Sequence, residues 1–209
     1  MDLPDSPRAL TFARARSPEQ REDRLRRLTE ATRALLDSTR AGELTLGDVA
    51  AAAGLAKSGV LRYAGSREAL LLLVMYHEHL GWLDDLRAQL RDERRSPAKA
   101  LAHTLARRPV LCDLISAAPV LMNRLTPEAA ETVRTQARDV EDRLRETLRP
   151  RLPLDRQHLV LLTAAIHAFV GAVWGWAAID SVNQPEPGTE FEETLAALLR
   201  TFVAGLKHQ

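Results

Sequence analysis

The sequence predicts an all-α protein, and three observations carry that prediction. Ala, Leu and Arg, all strong helix formers, dominate the 209 residues, while β-branched runs are scarce. Ser or Thr directly before Pro recurs at Ser17-Pro18, Ser96-Pro97 and Thr126-Pro127, a pairing that caps and opens helices. Apolar residues after such starts fall at helical spacing, and no alternating strand pattern, internal repeat or low-complexity tract interrupts them.

The elements follow in order. Residues 1–17 hold no apolar stretch of signal-peptide type and read as a disordered arm, with Arg14 and Arg16 as an option for a minor-groove contact. Ser17 with Gln20 forms a capping box, and Leu25, Leu28, Thr32, Leu35 and Leu36 continue a helix over 18–39 that Gly42 ends. Two short helices are expected between Thr45 and Ala64, then a long one over 66–92. Further helices are expected over 97–107, 109–123 with a bend at Pro119, 127–148, 154–181 and 190–207, with Thr189 and Glu192 opening the last. Pro150, Pro153, Pro185 and Pro187 mark breaks. This divides the chain into an arm (1–17), an N-terminal three-helix part (18–66) and a C-terminal helical bundle (67–209).

Charge and cysteine content narrow the class. The whole chain carries +1, but residues 1–67 hold 12 Lys+Arg against 9 Asp+Glu and the remainder 17 against 19, a weakly basic front on a weakly acidic back. Cys112 is the only cysteine, which excludes an intrachain disulfide and makes a reducing cytoplasm the expected compartment.

Residues 45–63 carry the chemistry. Two helices that cross closely need a small residue at the crossing, a turn residue that tolerates positive φ, and a few apolar locks. Counting from Leu46, the fifth residue is Ala50, the ninth Gly54 and the fifteenth Val60, with Val49, Ala53, Leu55 and Tyr63 as the support. Thr45 caps the first helix with Asp48 as its capping-box partner. This is the pattern of a helix-turn-helix whose second helix enters a DNA major groove. Its outward residues are Ala56, Lys57, Ser58, Gly59, Leu61 and Arg62; Lys57 and Arg62 suit phosphates or guanine edges, and Ser58 suits either. Gly59 weakens the helix, and either a close backbone approach to DNA or chance accounts for it.

The string T-L-G-D-V-A-A-A-A-G-L-A-K-S-G-V-L-R-Y-A-G-S-R-E-A-L (Thr45 to Leu70) resembles the DNA-binding module of the tetracycline-repressor (TetR) family, in which a Gly-Ser-Lys/Arg-Glu-x-Leu run leads into a long fourth helix. The resemblance implies a homodimeric repressor bound to a palindromic operator in double-stranded DNA, with a divergent C-terminal domain that senses a small molecule. It further implies phosphate contact by Thr45, Tyr63 and Arg67, with Lys57 and Ser58 facing the groove. Two positions depart from the family pattern: Leu61 stands where Tyr is usual and Ala64 where Phe is usual. Leu61 offers only apolar contact, such as with a thymine methyl.

Residues 159–179 contain no Asp, Glu, Lys or Arg and include Gly171-x-x-x-Gly175. That composition permits a transmembrane reading. Thr163 and His167 within it, and Asp180 with no basic cluster at its far end, favour a helix buried in a soluble dimer instead. With the amphipathic last helix it would form a four-helix dimer interface over 154–181 and 190–207, the two glycines letting helices approach across a two-fold axis. Candidate ligand-binding residues among the central helices are His103, Leu111, Cys112, Ile115, Met122, His167, Val170 and Trp174, the last three sharing one helix face. Plain core packing is the alternative for the apolar members. No catalytic residues, metal site or cofactor are expected: His77-Glu78-His79 is too tightly spaced for both imidazoles to share a helix face, and no glycine-rich phosphate loop is present.

Overall fold

The computed structural model describes residues 18–206 apart from 153 and 181–188. Ser17, the arm with Arg14 and Arg16, and the breaks at Pro153, Pro185 and Pro187 lie outside the described residues. The described residues form α1 (Pro18–Leu35), α2 (Leu46–Ala52), α3 (Lys57–Ala64), α4 (Arg67–Leu90), α5 (Pro97–Ala106), α6 (Pro109–Met122), α7 (Pro127–Leu148), α8 (Arg156–Asp180) and α9 (Thr189–Leu206), with no strand among them. The fold is all-α, as the composition and the caps require.

Helix starts follow from local hydrogen bonding. The side-chain oxygens of Ser66, Ser96 and Thr126 accept from the amides of Ala69, Lys99 and Ala129 at 3.0, 3.3 and 3.3 Å. Each satisfies an amide that the first helical turn leaves without a partner. The first helix stops at Leu35, short of residue 39, because the next amides turn back: Ser38 and Thr39 both donate to the Leu35 carbonyl, at 3.2 and 3.0 Å. That turn carries Leu36 into the core.

Two apolar clusters share the middle of the chain. The first joins Leu28, Val49, Ala50 and Val60 of α1–α3 to Leu70, Leu71 and Val74 of α4, and also takes in Val110, Leu114, Ala118 and Leu121 of α6. The second gathers Trp82, Leu83 and Leu86 of α4 with the inner faces of α5 to α9. Helix α4 therefore runs through both clusters, which explains why it is apolar on most sides. Position 66, the expected domain boundary, is the Ser66 cap of this shared helix, and α6 supports both clusters.

Helix α8 buries Leu159, Leu162, Ile166, Val170, Val173 and Trp174 and packs on α6 and α9. Its segment Arg156–Trp176 is long and apolar enough to cross a membrane by length and composition, but its buried side chains are packed within the bundle. A Cβ at Gly171 or Gly175 would lie 3.9 Å from Ser116, and the Ser116 hydroxyl donates to the Gly171 carbonyl at 3.5 Å. Both glycines thus face Ser116 of α6 within the chain, where an added Cβ would make ordinary van der Waals contact.

Candidate functional site

The helix-turn-helix is built as its sequence dictates. Thr45 is extended, its Oγ1 accepts from the Asp48 amide at 3.2 Å, and its own amide donates to Asp48 Oδ2 at 2.8 Å. The Thr45 hydroxyl also donates to Asp48 Oδ2 at 2.7 Å. These two bonds hold the Asp48 carboxyl below the usual carboxylate range, and the nearby Lys57 ammonium adds to the effect. Gly54 has φ of +63° and Gly65 +77°, conformations that side chains with a Cβ resist. The Leu55 amide then donates back to the Ala50 carbonyl at 2.9 Å, closing the turn. Val60, fully buried, locks α3 against α1 and α4.

This packing leaves one side of α3 open. Lys57, Ser58, Leu61 and Arg62 are exposed, and Gly59 and Tyr63 are half-buried. Leu61, at 44% exposure, is a large apolar side chain presented to solvent on the expected reading face. The Arg62 guanidinium lies 5.9 Å from the centre of the Tyr63 ring, a cation–π distance. The end of the Lys57 chain crosses Gly47, where an added Cβ would lie 3.1 Å from Lys57 Cε. Thr45 is exposed at the start of α2, although its hydroxyl proton is directed at Asp48.

Arg67 sits differently from its expected place on phosphate. Its guanidinium donates to the carbonyls of Leu44, Ala41 and Gly42, the last at 3.2 Å, and pairs with Glu68 at 3.3 Å. It clamps the loop before α2 to the start of α4. Two further links tie this head to the rest of the chain. Arg33 of α1 donates to Glu78 of α4 at 2.6 Å, and Arg108 before α6 reaches the other Glu78 oxygen at 3.4 Å. The Asp113 carboxylate of α6 accepts the Ala41 amide at 2.7 Å and the Trp174 indole N–H of α8 at 3.3 Å.

A cavity of about 420 Å³ opens between α4, α6, α7 and α8. Its volume is that of a small-molecule site. Its wall is mainly apolar, from Leu72, Met75, Ile115, Met122 and Val160 among others, with Tyr76, Gln136, Glu141, Thr163 and the imidazoles of His79 and His167 as its polar groups. Pro119 also lines it and, lacking an amide hydrogen, removes the helical partner of the Ile115 carbonyl. Of the candidate ligand residues, Ile115, Met122 and His167 line this cavity. Leu111, Cys112, Val170 and Trp174 lie in the packed second core, where burial also pushes the Cys112 thiol far above its ordinary range. His103 faces away toward α9, its Nδ1 3.2 Å from Glu192 Oε1.

His79 escaped the sequence reading, which weighed it only with its neighbours His77 and Glu78. It is 3% exposed and meets His167 of α8, the two Nε2 atoms standing 3.0 Å apart. Each ring is anchored at its other nitrogen: His79 Nδ1 lies 2.9 Å from the Met75 carbonyl, and His167 Nδ1 lies 2.9 Å from the Thr163 carbonyl. Burial and the facing His167 ring push His79 down to about 3, so its imidazole is neutral. The signal was present in the spacing, since Leu72, Met75, His79, Leu83 and Leu86 form one stripe along α4.

Residues 77–209 match the family model for the tetracyclin repressor-like C-terminal domain. No curated protein matches the chain in sequence. Among solved structures, the TetR-family transcriptional repressor FadR of Thermus thermophilus, in complex with lauroyl-CoA, is 22% identical with a TM-score of 0.60, over 87% of this chain and 94% of that one. The fatty acid degradation regulator FadR of Bacillus halodurans is 13% identical with a TM-score of 0.55, over 88% and 98%. A TetR transcriptional regulator from Rhodococcus sp. RHA1 is 17% identical with a TM-score of 0.54, over 90% and 98%. At these identities the likeness to solved structures is one of fold. With a family model covering more than half its length behind a complete helix-turn-helix, the chain belongs to the TetR family of DNA-binding transcriptional regulators.

Proposed function

We propose that the protein is a homodimeric repressor that leaves a palindromic operator when a small, largely apolar molecule fills the cavity between α4, α6, α7 and α8. On this reading residues 18–66 hold the DNA, residues 67–209 hold the ligand and the dimer contacts, and the protein acts in the cytoplasm without catalysing a reaction. Lys57, Ser58, Gly59, Leu61, Arg62 and Tyr63 approach the major groove and its phosphates, with Thr45 at the start of α2 beside them.

The observation that carries the ligand-to-DNA part is the position of α6. One of its faces lines the cavity through Ile115, Ala118 and Met122, while Asp113 on the same helix binds the Ala41 amide of the head. A ligand that favours one placement of α6 therefore biases the placement of the head, and a differential affinity for two placements is all that release from DNA requires. Leu161 and Trp176 of α8, 44% and 66% exposed, support a partner chain seated on α8 and α9. Such a dimer spaces two heads for successive major grooves.

The test is a gel shift of the protein on the DNA upstream of its own gene, with the solution mass measured alongside. A sequence-dependent, salt-sensitive shift by a dimer agrees with the reading. A monomer without such a shift contradicts it and favours a helical small-molecule-binding protein.

A further inference from the structure

The wall of the cavity between α4, α6, α7 and α8 is one-sided in its chemistry. Among the described residues that line it, Glu141 is the only carboxylate, and none is Lys or Arg. His79 and His167 meet end-on through Nε2 at 3.0 Å, and each Nδ1 lies on a carbonyl of its own helix, so all four ring nitrogens are already engaged. Burial keeps His79 neutral. The other polar groups mostly accept. The hydroxyl of Tyr76 gives its proton to Asp139, and that of Thr163 to the Leu159 carbonyl, both at 2.9 Å, which leaves each with oxygen lone pairs only. Pro119 leaves the Ile115 carbonyl without its helical donor. Gln136 is the one described side chain of this wall with N–H groups still to give.

Glu141 is unlike its neighbours on α7. That helix turns Val133, Gln136, Ala137, Val140 and Glu141 to the cavity, at positions three and four apart. On its other faces the carboxylates of Glu131, Asp139 and Asp142 hold the guanidinium groups of Arg134, Arg143 and Arg145. Arg138, one turn before Glu141, pairs with Glu131 at 3.8 Å. Glu141 makes no hydrogen bond or ion pair with the described residues, and it is half-buried against an apolar wall. A cation that brings its own apolar cover gains there both the carboxylate and the wall.

We propose that this cavity selects an apolar monoamine in its ammonium form, with the N–H donors directed to Glu141 and the hydrocarbon body against Leu72, Met75, Ile115 and Val160. The proposal rests on the effector reading of the cavity given above and names the class of its ligand. An ammonium brings three donors and no acceptor to a wall made mainly of acceptors. An anionic amphiphile would meet Glu141 with no Lys or Arg on the described wall to offset it, and a neutral one would leave the carboxylate without a counter-charge. Met122 and Val160 line the cavity and are 47% and 45% exposed, which gives the hydrocarbon body an apolar entrance. A molecule held by Glu141 of α7 and packed on Ile115 of α6 bears directly on the helix that contacts the head through Asp113.

Calorimetric titration of the full chain at neutral pH with n-octylammonium, n-octanol and octanoate tests this. Octylammonium is expected to bind on the order of tenfold more tightly than octanol, the value of one hydrogen bond to a charged acceptor that is half-buried, and octanoate more weakly than either. Glu141→Gln should bring octylammonium to within about twofold of octanol while leaving octanol affinity unchanged. Glu146→Gln, at an exposed position of α7 outside the cavity wall, should leave the preference intact. Equal affinity for ammonium and alcohol, or tightest binding by octanoate, overturns the ammonium assignment but leaves the effector cavity standing. A preference that survives Glu141→Gln, or that is lost equally in Glu146→Gln, also overturns it. Failure of all three compounds to bind contradicts the effector reading and this proposal together.

Discussion

Asp113 holds Trp174 through one carboxylate oxygen, the indole N–H donating to Oδ1 at 3.3 Å, while Oδ2 accepts the Ala41 amide at 2.7 Å. One side chain of α6 therefore touches both the loop before α2 and the core of α8. Trp174 packs edge-on against Phe191 of α9, their ring centres 5.5 Å apart, so the link extends to the helices proposed to carry the dimer contacts. Replacing Asp113 with Ala leaves both donors without their acceptor. The expected loss is about 2 kcal/mol of stability, read from urea unfolding, together with a weaker effect of ligand on DNA affinity. Unchanged coupling in a folded Asp113→Ala protein would remove this residue from the path.

Phosphate contact and structural support separate cleanly among the basic residues of the head. Lys57 and Arg62 are exposed, so Lys57→Ala and Arg62→Ala should each lower operator affinity by about 1–2 kcal/mol and reduce the salt slope by about 1, with unfolding little changed. Arg67 donates to the Ala41, Gly42 and Leu44 carbonyls, so Arg67→Ala should instead cost about 1–3 kcal/mol of stability. A salt slope unchanged in Lys57→Ala and reduced in Arg67→Ala would reverse these roles.

Two glycines of the motif should respond oppositely to alanine. At Gly54, φ is +63° and nothing lies near an added Cβ, so Gly54→Ala meets only backbone strain of about 1–2 kcal/mol. At Gly59 the added Cβ would meet Leu55 Cβ at an ordinary 3.6 Å within a helix, so Gly59→Ala should stabilise by up to about 1 kcal/mol. If DNA approaches the backbone there, the same variant binds operator more weakly. Thermal unfolding and operator titration of both variants check the pair of outcomes.

The Thr45–Asp48 box has a defined pH dependence. Asp48 is held below its ordinary range by the Thr45 hydroxyl and amide, so its contribution is complete above the unfolded carboxylate value. It is lost as pH falls through that value toward the lower folded one. Urea midpoints of the wild type and of Thr45→Ala should therefore differ most near neutrality and converge in acid. A constant difference down the acid range would show that the carboxylate plays no part.

The head was legible because each of its constraints is local. Thr45, Gly54 and Val60 announce a cap, a positive-φ turn and a lock within one stretch of chain, and no distant residue is needed to interpret them. The cavity was legible only in part. Ile115, Met122 and His167 follow from apolar spacing on central helices, but whether such a residue faces a cavity or a neighbouring helix depends on how the helices are rotated. That rotation places Leu111, Cys112, Val170 and Trp174 in solid core and turns His103 toward Glu192. His79 and Asp113 act through partners 88 and 72 residues away in sequence, a relation that no short motif encodes. Gly171 and Gly175 face Ser116 of α6, a neighbour that their spacing does not name.

Whether this chain is a dimeric reader of a specific DNA sequence is decided by selecting the DNA it binds from a random pool. The expected result is enrichment of an inverted repeat whose half-sites lie on one face of the duplex, about one helical turn apart or at a near multiple of it, lost in the Lys57→Ala, Arg62→Ala double variant. Recovery of no enriched sequence, or of one without two-fold symmetry, would contradict it.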